Sequence, residues 1–429
     1  MTNAVQTDTP DSIVLKPTQT PNQQSIIDTA QGDKPLGTIT QGPGSPYKLQ
    51  LYSGKGGFTA IVTSAKTDLR YFVLPGGRLT VGDTEIQLEG EPFKLGKVCS
   101  EPLKSQRQQA KLDISLQTMV LGAGLATRFE PVSGENSGYS KPAVFLAGET
   151  AVIEAIANGL YASGFPRLFV NTYFKPVSLK AVLSRTEQAK GDTLTYIDEP
   201  APSGTAGALR KLLQSPAEYG FDPSKPLLLV QGDAVTDADF ARLYEAHKKN
   251  NALVTIGCME VPETQVQQFG IVVSENHDKA DKSGNIIQFQ EKPKFGEHLS
   301  TLANTGFYLF SPDAFEIILQ VFEEMGEAGE KELDFAKNIF PAVLKKSGQT
   351  NRPFWAHQIE SDSYWNDIGN PRQYLETVHD VFQGKVCLPL PKQPEQYFEN
   401  GVLYWPKAKP LAESESAKAF GNVIVAKPF

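Results

Sequence analysis

From about residue 116 to 384, short apolar runs alternate with longer amphipathic stretches, and no other feature limits the fold as tightly. The runs Thr118-Met119-Val120-Leu121, Leu168-Phe169-Val170, Leu194-Thr195-Tyr196-Ile197, Pro226-Leu227-Leu228-Leu229-Val230 and Ala252-Leu253-Val254-Thr255-Ile256 read as buried strands. Between them, residues 152–162, 206–214 and 238–250 repeat apolar positions at helical spacing. Continuous apolar strands separated by helices predict an α/β fold, its mostly parallel sheet doubly wound and covered on both faces. Such sheets hold ligands outside the carboxyl ends of their strands.

The first strand runs into Leu121-Gly122-Ala123-Gly124-Leu125-Ala126-Thr127-Arg128, followed by Pro131 and, after a small polar insert, Lys141-Pro142. Glycines let backbone N–H groups approach phosphate oxygens, and a following helix N-terminus adds partial positive charge. Arg128 and Lys141 supply full charge. The loop therefore reads as a polyphosphate site, although a Gly-x-Gly turn alone is also an ordinary tight turn. Thr127 stands where a dinucleotide fingerprint has its third glycine, and no Gly-Lys-Ser/Thr follows as in a Walker loop.

Further along, Pro202-Ser203-Gly204-Thr205-Ala206-Gly207-Ala208 either admits a flat base against bare backbone or caps a helix with Ser203 or Thr205. Gly232-Asp233 sets a carboxylate just past an apolar strand, suited to Mg²⁺ bound by phosphates or to a solvated turn. Glu291-Lys292-Pro293 ends an alternating strand; the glutamate can accept from sugar hydroxyls and the lysine can hold a phosphate. Trp365-Asn366-Asp367-Ile368-Gly369-Asn370-Pro371 carries a second carboxylate, or a capped turn before a helix at 372–382.

In this order the motifs resemble the sugar-nucleotide pyrophosphorylases, the nucleotidyltransferases that make NDP-sugars. The resemblance covers roughly residues 116–384. It rests on Thr127-Arg128, Pro131, Lys141-Pro142, Gly204-Thr205-Ala206-Gly207-Ala208, Gly232-Asp233, Phe269-Gly270, Glu291-Lys292-Pro293, Asn304-Thr305-Gly306 and the Trp365–Pro371 run. It implies a Rossmann-like, GT-A-like mixed sheet and a reaction in which a glucose- or mannose-type sugar 1-phosphate attacks the α-phosphorus of an NTP. By the same resemblance, Arg128 steadies the departing pyrophosphate and Lys141 the α-phosphate. Leu121, Gly122, Gly124, Thr127, Gly204 and Thr205 line the nucleotide, and Gly270, Glu291, Lys292 and Asn304 bind the sugar phosphate. Asp233 and Asp367 hold Mg²⁺. A homo-oligomer is compatible with this reading.

The chain departs from the pattern at Ala126, where relatives have glycine, at Val132-Ser133 in place of Leu-Thr, and in about three extra residues within 134–140. A non-catalytic regulatory homologue that binds nucleotide or NDP-sugar is the alternative. A glycosyltransferase would usually show Asp-x-Asp, which Asp233-Ala234-Val235 breaks.

The flanks differ in composition. Residues 1–46 contain no aromatic side chain and read as a disordered tail. Residues 47–115 read as a small β-rich module, with a hairpin across Pro75-Gly76-Gly77. Residues 385–429 carry short strand-like pieces that suggest the start of a β-helix. A net charge of −8 argues against a nucleic-acid partner, and no apolar run reaches the length of a membrane span. The start, Met1–Asp8, lacks the basic and apolar regions of a signal peptide. Three widely spaced cysteines, Cys99, Cys258 and Cys387, give neither a disulfide framework nor a zinc pattern, so a cytoplasmic setting is expected.

Overall fold

The computed structural model of the protein describes residues 6–7, 13–54, 57–92, 116–133, 138–326, 333–348, 350, 352–388 and 397–427. The chain forms two compact units: one from Gln106–Gly124 with Ile153–Asn366, the other from Met1–Ser105, Leu125–Val152 and Asp367–Phe429. The sequence boundaries at 116 and 384 therefore do not coincide with the compact units.

The first unit is α/β. Its nine-stranded sheet runs in the order Leu194–Asp198, Arg167–Thr172, Gln117–Leu121, Leu227–Gln231, Leu302–Phe310, Val254–Glu260, Phe354–Gln358, Gly284–Glu291, Gly270–Ser274. The first four strands pair in parallel, as their unbroken apolar runs predict. Leu302–Phe310 is antiparallel to both neighbours, and Gly270–Ser274 forms an antiparallel hairpin with Gly284–Glu291. The sheet is mixed, and only its first half is wholly parallel. Both of its faces are covered. Met119, Leu121, Leu227 and Leu229 join one core with Leu209, Leu212, Phe315 and Phe340, while the alternate residues Thr118, Val120, Leu228 and Val230 are buried on the opposite face. The helices predicted from periodicity form at Val152–Ala162, Gly207–Gln214, Phe240–Lys249 and Pro371–Phe382.

The second unit is dominated by two β-sheets that share a core. One runs Gln6–Thr7, Tyr47–Gly54, Gly57–Ser64, Arg70–Val73, Val423–Ala426, Val402–Tyr404, Phe398–Glu399; the other runs Ile13–Pro17, Gln23–Asp28, Lys34–Gln41, Thr84–Leu88, Arg78–Val81, Lys418–Phe420. Ile26, Ile39, Leu49, Val62, Tyr71, Leu79, Ile86, Val402 and Val423 pack together between them.

Three expectations are corrected here. Residues 13–41 are not a disordered tail: they supply three strands, whose Ile26 and Ile39 are buried in the core with Ile13, Leu15 and Leu36 packed against it. Arg70–Val73 and Arg78–Val81 are not a hairpin, because the turn at Gly76-Gly77 carries the chain from one sheet to the other; Arg78–Val81 instead pairs with Thr84–Leu88. The C-terminal strands do not coil into a β-helix. Val402–Tyr404 and Val423–Ala426 do pair in parallel, but Val423–Ala426 then joins Arg70–Val73 antiparallel, and Lys418–Phe420 joins Arg78–Val81. They complete the N-terminal module. The part of that predicted module at 93–115 lies outside the described residues.

Candidate active site

In the α/β unit, Leu121 stands in register with Asn171 on one side and Gln231 on the other, so the three strands end together. Gly122 follows and is buried. Its N–H donates to Asn171 Oδ1 at 2.7 Å. Asn171 Nδ2 donates to Glu199 Oε2 at 2.6 Å, and the other oxygen of Glu199 accepts from the Ser203 hydroxyl. Asn171 and Glu199 are both buried. The Gly122 N–H, offered to phosphate by the sequence reading, is thus engaged inside the protein. A Cβ at Gly122 would meet the Asn171 carbonyl at 3.0 Å and Leu179 Cδ1 at 3.1 Å, so strand packing is what requires a glycine there. Gly124 is the open one: it is exposed, and nothing lies within 4 Å of where a Cβ would be. Gly232 donates to the Leu121 carbonyl at 2.9 Å, which fixes Asp233 one residue further on.

The small-residue loop is not a helix cap. The helix Gly207–Gln214 has Ala206 at its N-cap and no side-chain capping bond. Ser203 is turned to Glu199, and the Thr205 hydroxyl accepts from the Phe335 N–H at 3.0 Å. Ala206 N–H bonds the Leu333 carbonyl at 2.8 Å. Gly204 has φ +77°, and any Cβ there would overlap the Leu333 backbone, so both conformation and space demand glycine.

The four residues assigned to the sugar phosphate come together on neighbouring strands. Gly270 opens one strand directly opposite Glu291, the last residue of its partner. A Cβ at Gly270 would lie 3.1 Å from a Glu291 carboxylate oxygen, so the glycine leaves room for that carboxylate. Lys292 N–H bonds the Phe269 carbonyl at 3.1 Å, and its backbone sits at φ +47° immediately before Pro293, a conformation that costs about 1–3 kcal/mol. Ile271 pairs with Ala303 on the next strand, which brings in Asn304. The Asn304 amide donates to the Tyr308 hydroxyl at 3.0 Å and its oxygen accepts from the Gly306 N–H at 3.0 Å, so its orientation is set from both ends.

The β unit carries the other charges. Thr127 and Arg128 are exposed on the segment after the glycine loop. Lys141 is 7% exposed and its Nζ lies 3.2 Å from Asp367 Oδ1. A buried ammonium needs such a partner. Asp367 is not needed as a cap: Asn370 caps the helix Pro371–Phe382 by accepting from Gln373 N–H at 3.0 Å. Ala126 has φ +54°, the left-handed region that favours glycine. Residues 134–137 of the insert lie outside the described residues.

Asp233 and Asp367 are the carboxylates that the resemblance assigns to a metal. As hard oxygen donors they suit Mg²⁺, which takes one or two carboxylates and completes its shell with water and substrate phosphates. No group of three or more His, Cys, Asp or Glu side chains that could hold a metal assembles among the described residues. No helix among the described residues is long and apolar enough to cross a membrane. Sequence reasoning missed Asn171 and Glu199. The only signal was an asparagine interrupting an otherwise apolar strand end, and a glutamate just before the small-residue loop.

A family model described as nucleotidyl transferase matches residues 117–384. The glucose-1-phosphate adenylyltransferase of Thermosipho africanus is 29% identical over 270 residues, 60% of each chain. The UTP–glucose-1-phosphate uridylyltransferase of a Synechocystis species is 27% identical over 282 residues, 63% of this chain and 64% of the relative. The chain thus spans about three-fifths of the length of the curated relatives it matches. Among solved structures, a Bacillus anthracis chain assigned as a glucose-1-phosphate thymidylyltransferase, crystallised with sucrose, is alike in fold. It has a TM-score of 0.51 and 18% identity, covering 66% of this chain and 99% of that one.

Proposed function

We propose that this chain, which belongs to the nucleotidyl transferase family, joins an NTP to a sugar 1-phosphate and releases pyrophosphate. A phosphate oxygen of the sugar 1-phosphate bonds to the α-phosphorus, the α–β bridging bond breaks, and the bond electrons leave on pyrophosphate. A sugar phosphate has a second pKa of about 6, so it is mostly dianionic at neutral pH and needs no general base. Catalysis then reduces to in-line positioning and charge neutralisation.

The observation that carries this reading is the convergence of Gly270, Glu291, Lys292 and Asn304 on adjoining strands, in a chain whose ordered charged motifs are all filled. Glu291 would accept from sugar hydroxyls while Lys292 holds the sugar's phosphate. Arg128 would neutralise the departing pyrophosphate and Lys141 the α-phosphate. Asp233 and Asp367 would hold Mg²⁺, which supplies charge neutralisation to the phosphates when bound. The filled set favours turnover over a non-catalytic homologue that only binds nucleotide or NDP-sugar. The relatives named above act on glucose 1-phosphate with different nucleotides, so we propose a glucose-type acceptor, in the cytoplasm, supplying NDP-sugar for polysaccharide synthesis.

The test is a coupled pyrophosphate-release screen of ATP, GTP, CTP, UTP and dTTP against glucose and mannose 1-phosphates with Mg²⁺. One pair should be used at least tenfold faster than the rest. No pyrophosphate release with any pair would overturn the reading.

A further inference from the structure

Two residues outside the span matched by the family model touch the segment that bears Arg128 and Lys141. Tyr52, on the N-terminal strand Tyr47–Gly54, donates its hydroxyl to Glu130 Oε2 at 2.7 Å, two residues from Arg128. Trp405, just past the C-terminal strand Val402–Tyr404, is buried in an aromatic cluster. Its ring lies edge-on to Tyr139 at 4.9 Å and to Phe145 at 5.8 Å, and its Nε1–H donates to the Tyr374 hydroxyl at 3.1 Å. That hydroxyl donates in turn to the Phe145 carbonyl, and the Tyr374 ring packs against Phe129 at 5.4 Å.

Phe129 neighbours Arg128, and Tyr139 and Phe145 bracket Lys141. Arg128 is thus followed directly by two anchored residues, Phe129 and Glu130, and Lys141 lies between two rings that both pack on Trp405. Buried aromatics in edge-to-face contact have little rotamer freedom, and their geometry passes to the backbone they pin. We infer that Tyr52 and Trp405 are positioning residues that set where Arg128 and Lys141 meet the phosphates, making the β module part of the reaction apparatus rather than an appendage. The inference rests on the functional reading above.

A misplacement of about 1 Å at a reacting group can cost on the order of 10²-fold in rate. Tyr52→Phe removes one hydroxyl and Trp405→Phe one N–H donor while keeping an aromatic ring. In the full chain, assayed with its best NTP and sugar 1-phosphate, each should lower kcat about tenfold and leave the KM for sugar 1-phosphate within about twofold, since Gly270, Glu291, Lys292 and Asn304 are untouched. The melting temperature should fall by no more than a few degrees.

In an Arg128→Ala background, Tyr52→Phe should cost less than twofold more, because the group it positions is gone. Unchanged kcat in both single variants, or a full tenfold additive loss in the Arg128→Ala background, would overturn the inference. So would a rise in KM for sugar 1-phosphate in step with the fall in kcat. An unaltered chain inactive on every pair would instead overturn the functional reading, and the inference with it.

Discussion

Asn171→Asp tests the buried chain Gly122–Asn171–Glu199 by changing one NH₂ to an oxygen. The aspartate can still accept from Gly122 N–H, as Asn171 Oδ1 does at 2.7 Å. Where Asn171 Nδ2 donates to Glu199 across 2.6 Å, two carboxylates would now face each other. At that spacing and an effective dielectric near 20, their repulsion would be about 6 kcal/mol. The pair avoids it by keeping one proton, which restores an O–H donor in place of the amide. Protonating an aspartate of ordinary pKa (about 3.9) costs about 4 kcal/mol at pH 7 and about 1.5 kcal/mol at pH 5.

The folded variant then binds a proton that the unfolded chain does not. Its stability is fully present only at low pH and is lost as pH rises. Relative to the unaltered protein, Asn171→Asp should melt about 10 °C lower at pH 7 and only a few degrees lower at pH 5. Differential scanning calorimetry at the two pH values, run on both proteins, checks this. Equal losses at pH 5 and pH 7 would refute the proposed contact between residue 171 and Glu199.

Arg128→Ala and Asp233→Asn should each cut pyrophosphate release on the order of 10²–10³-fold with circular dichroism unchanged; near-normal turnover in both would sink the assignment of these charges. Ala126→Gly removes a Cβ from a backbone at φ +54°. The gain of about 1–2 kcal/mol is partly offset by glycine's unfolded-state entropy, so a net rise of about 0.5–1 kcal/mol should appear in urea denaturation. His247 is buried against Thr255 Oγ1 at 2.8 Å, and burial, aided by the positive charge of Arg352, lowers its pKa to about 4. Its contribution is therefore present above about pH 6.5 and lost as pH falls toward 4, by up to about 3 kcal/mol. His247→Gln should flatten that acid limb of the stability curve.

The α/β unit was legible because its strands are apolar on both faces and its helices carry one apolar stripe; the helix at Val152–Ala162 is where periodicity puts it. The grouping of Gly270, Glu291, Lys292 and Asn304 was legible only through the resemblance, since nothing local says that three strands will bring them together. Residues 13–41 were misread because their strands bury single residues such as Ile26 and Ile39, and a short period-two pattern in a Thr/Gln/Pro-rich stretch resembles coil. The C-terminal strands show their propensity in sequence but not their partners. Pairing of Val423 with Val73 is a property of the whole chain. Asn171 was missed because one polar residue at the end of an apolar strand reads as the strand simply ending.

The bond from Asn422 Nδ2 to the Pro75 carbonyl, 2.6 Å long, joins positions 347 residues apart. On a ribosome adding about 5–20 residues per second, the Arg70–Val73 edge must wait on the order of 20–70 s for Val423–Ala426 to emerge. Throughout that interval the nascent sheet lacks a strand, and an open edge is a template for pairing with other chains. Termination or slow translation ahead of Val423–Ala426 would thus leave a synthesised but unsealed module, its Arg70–Val73 edge open to pairing with other chains.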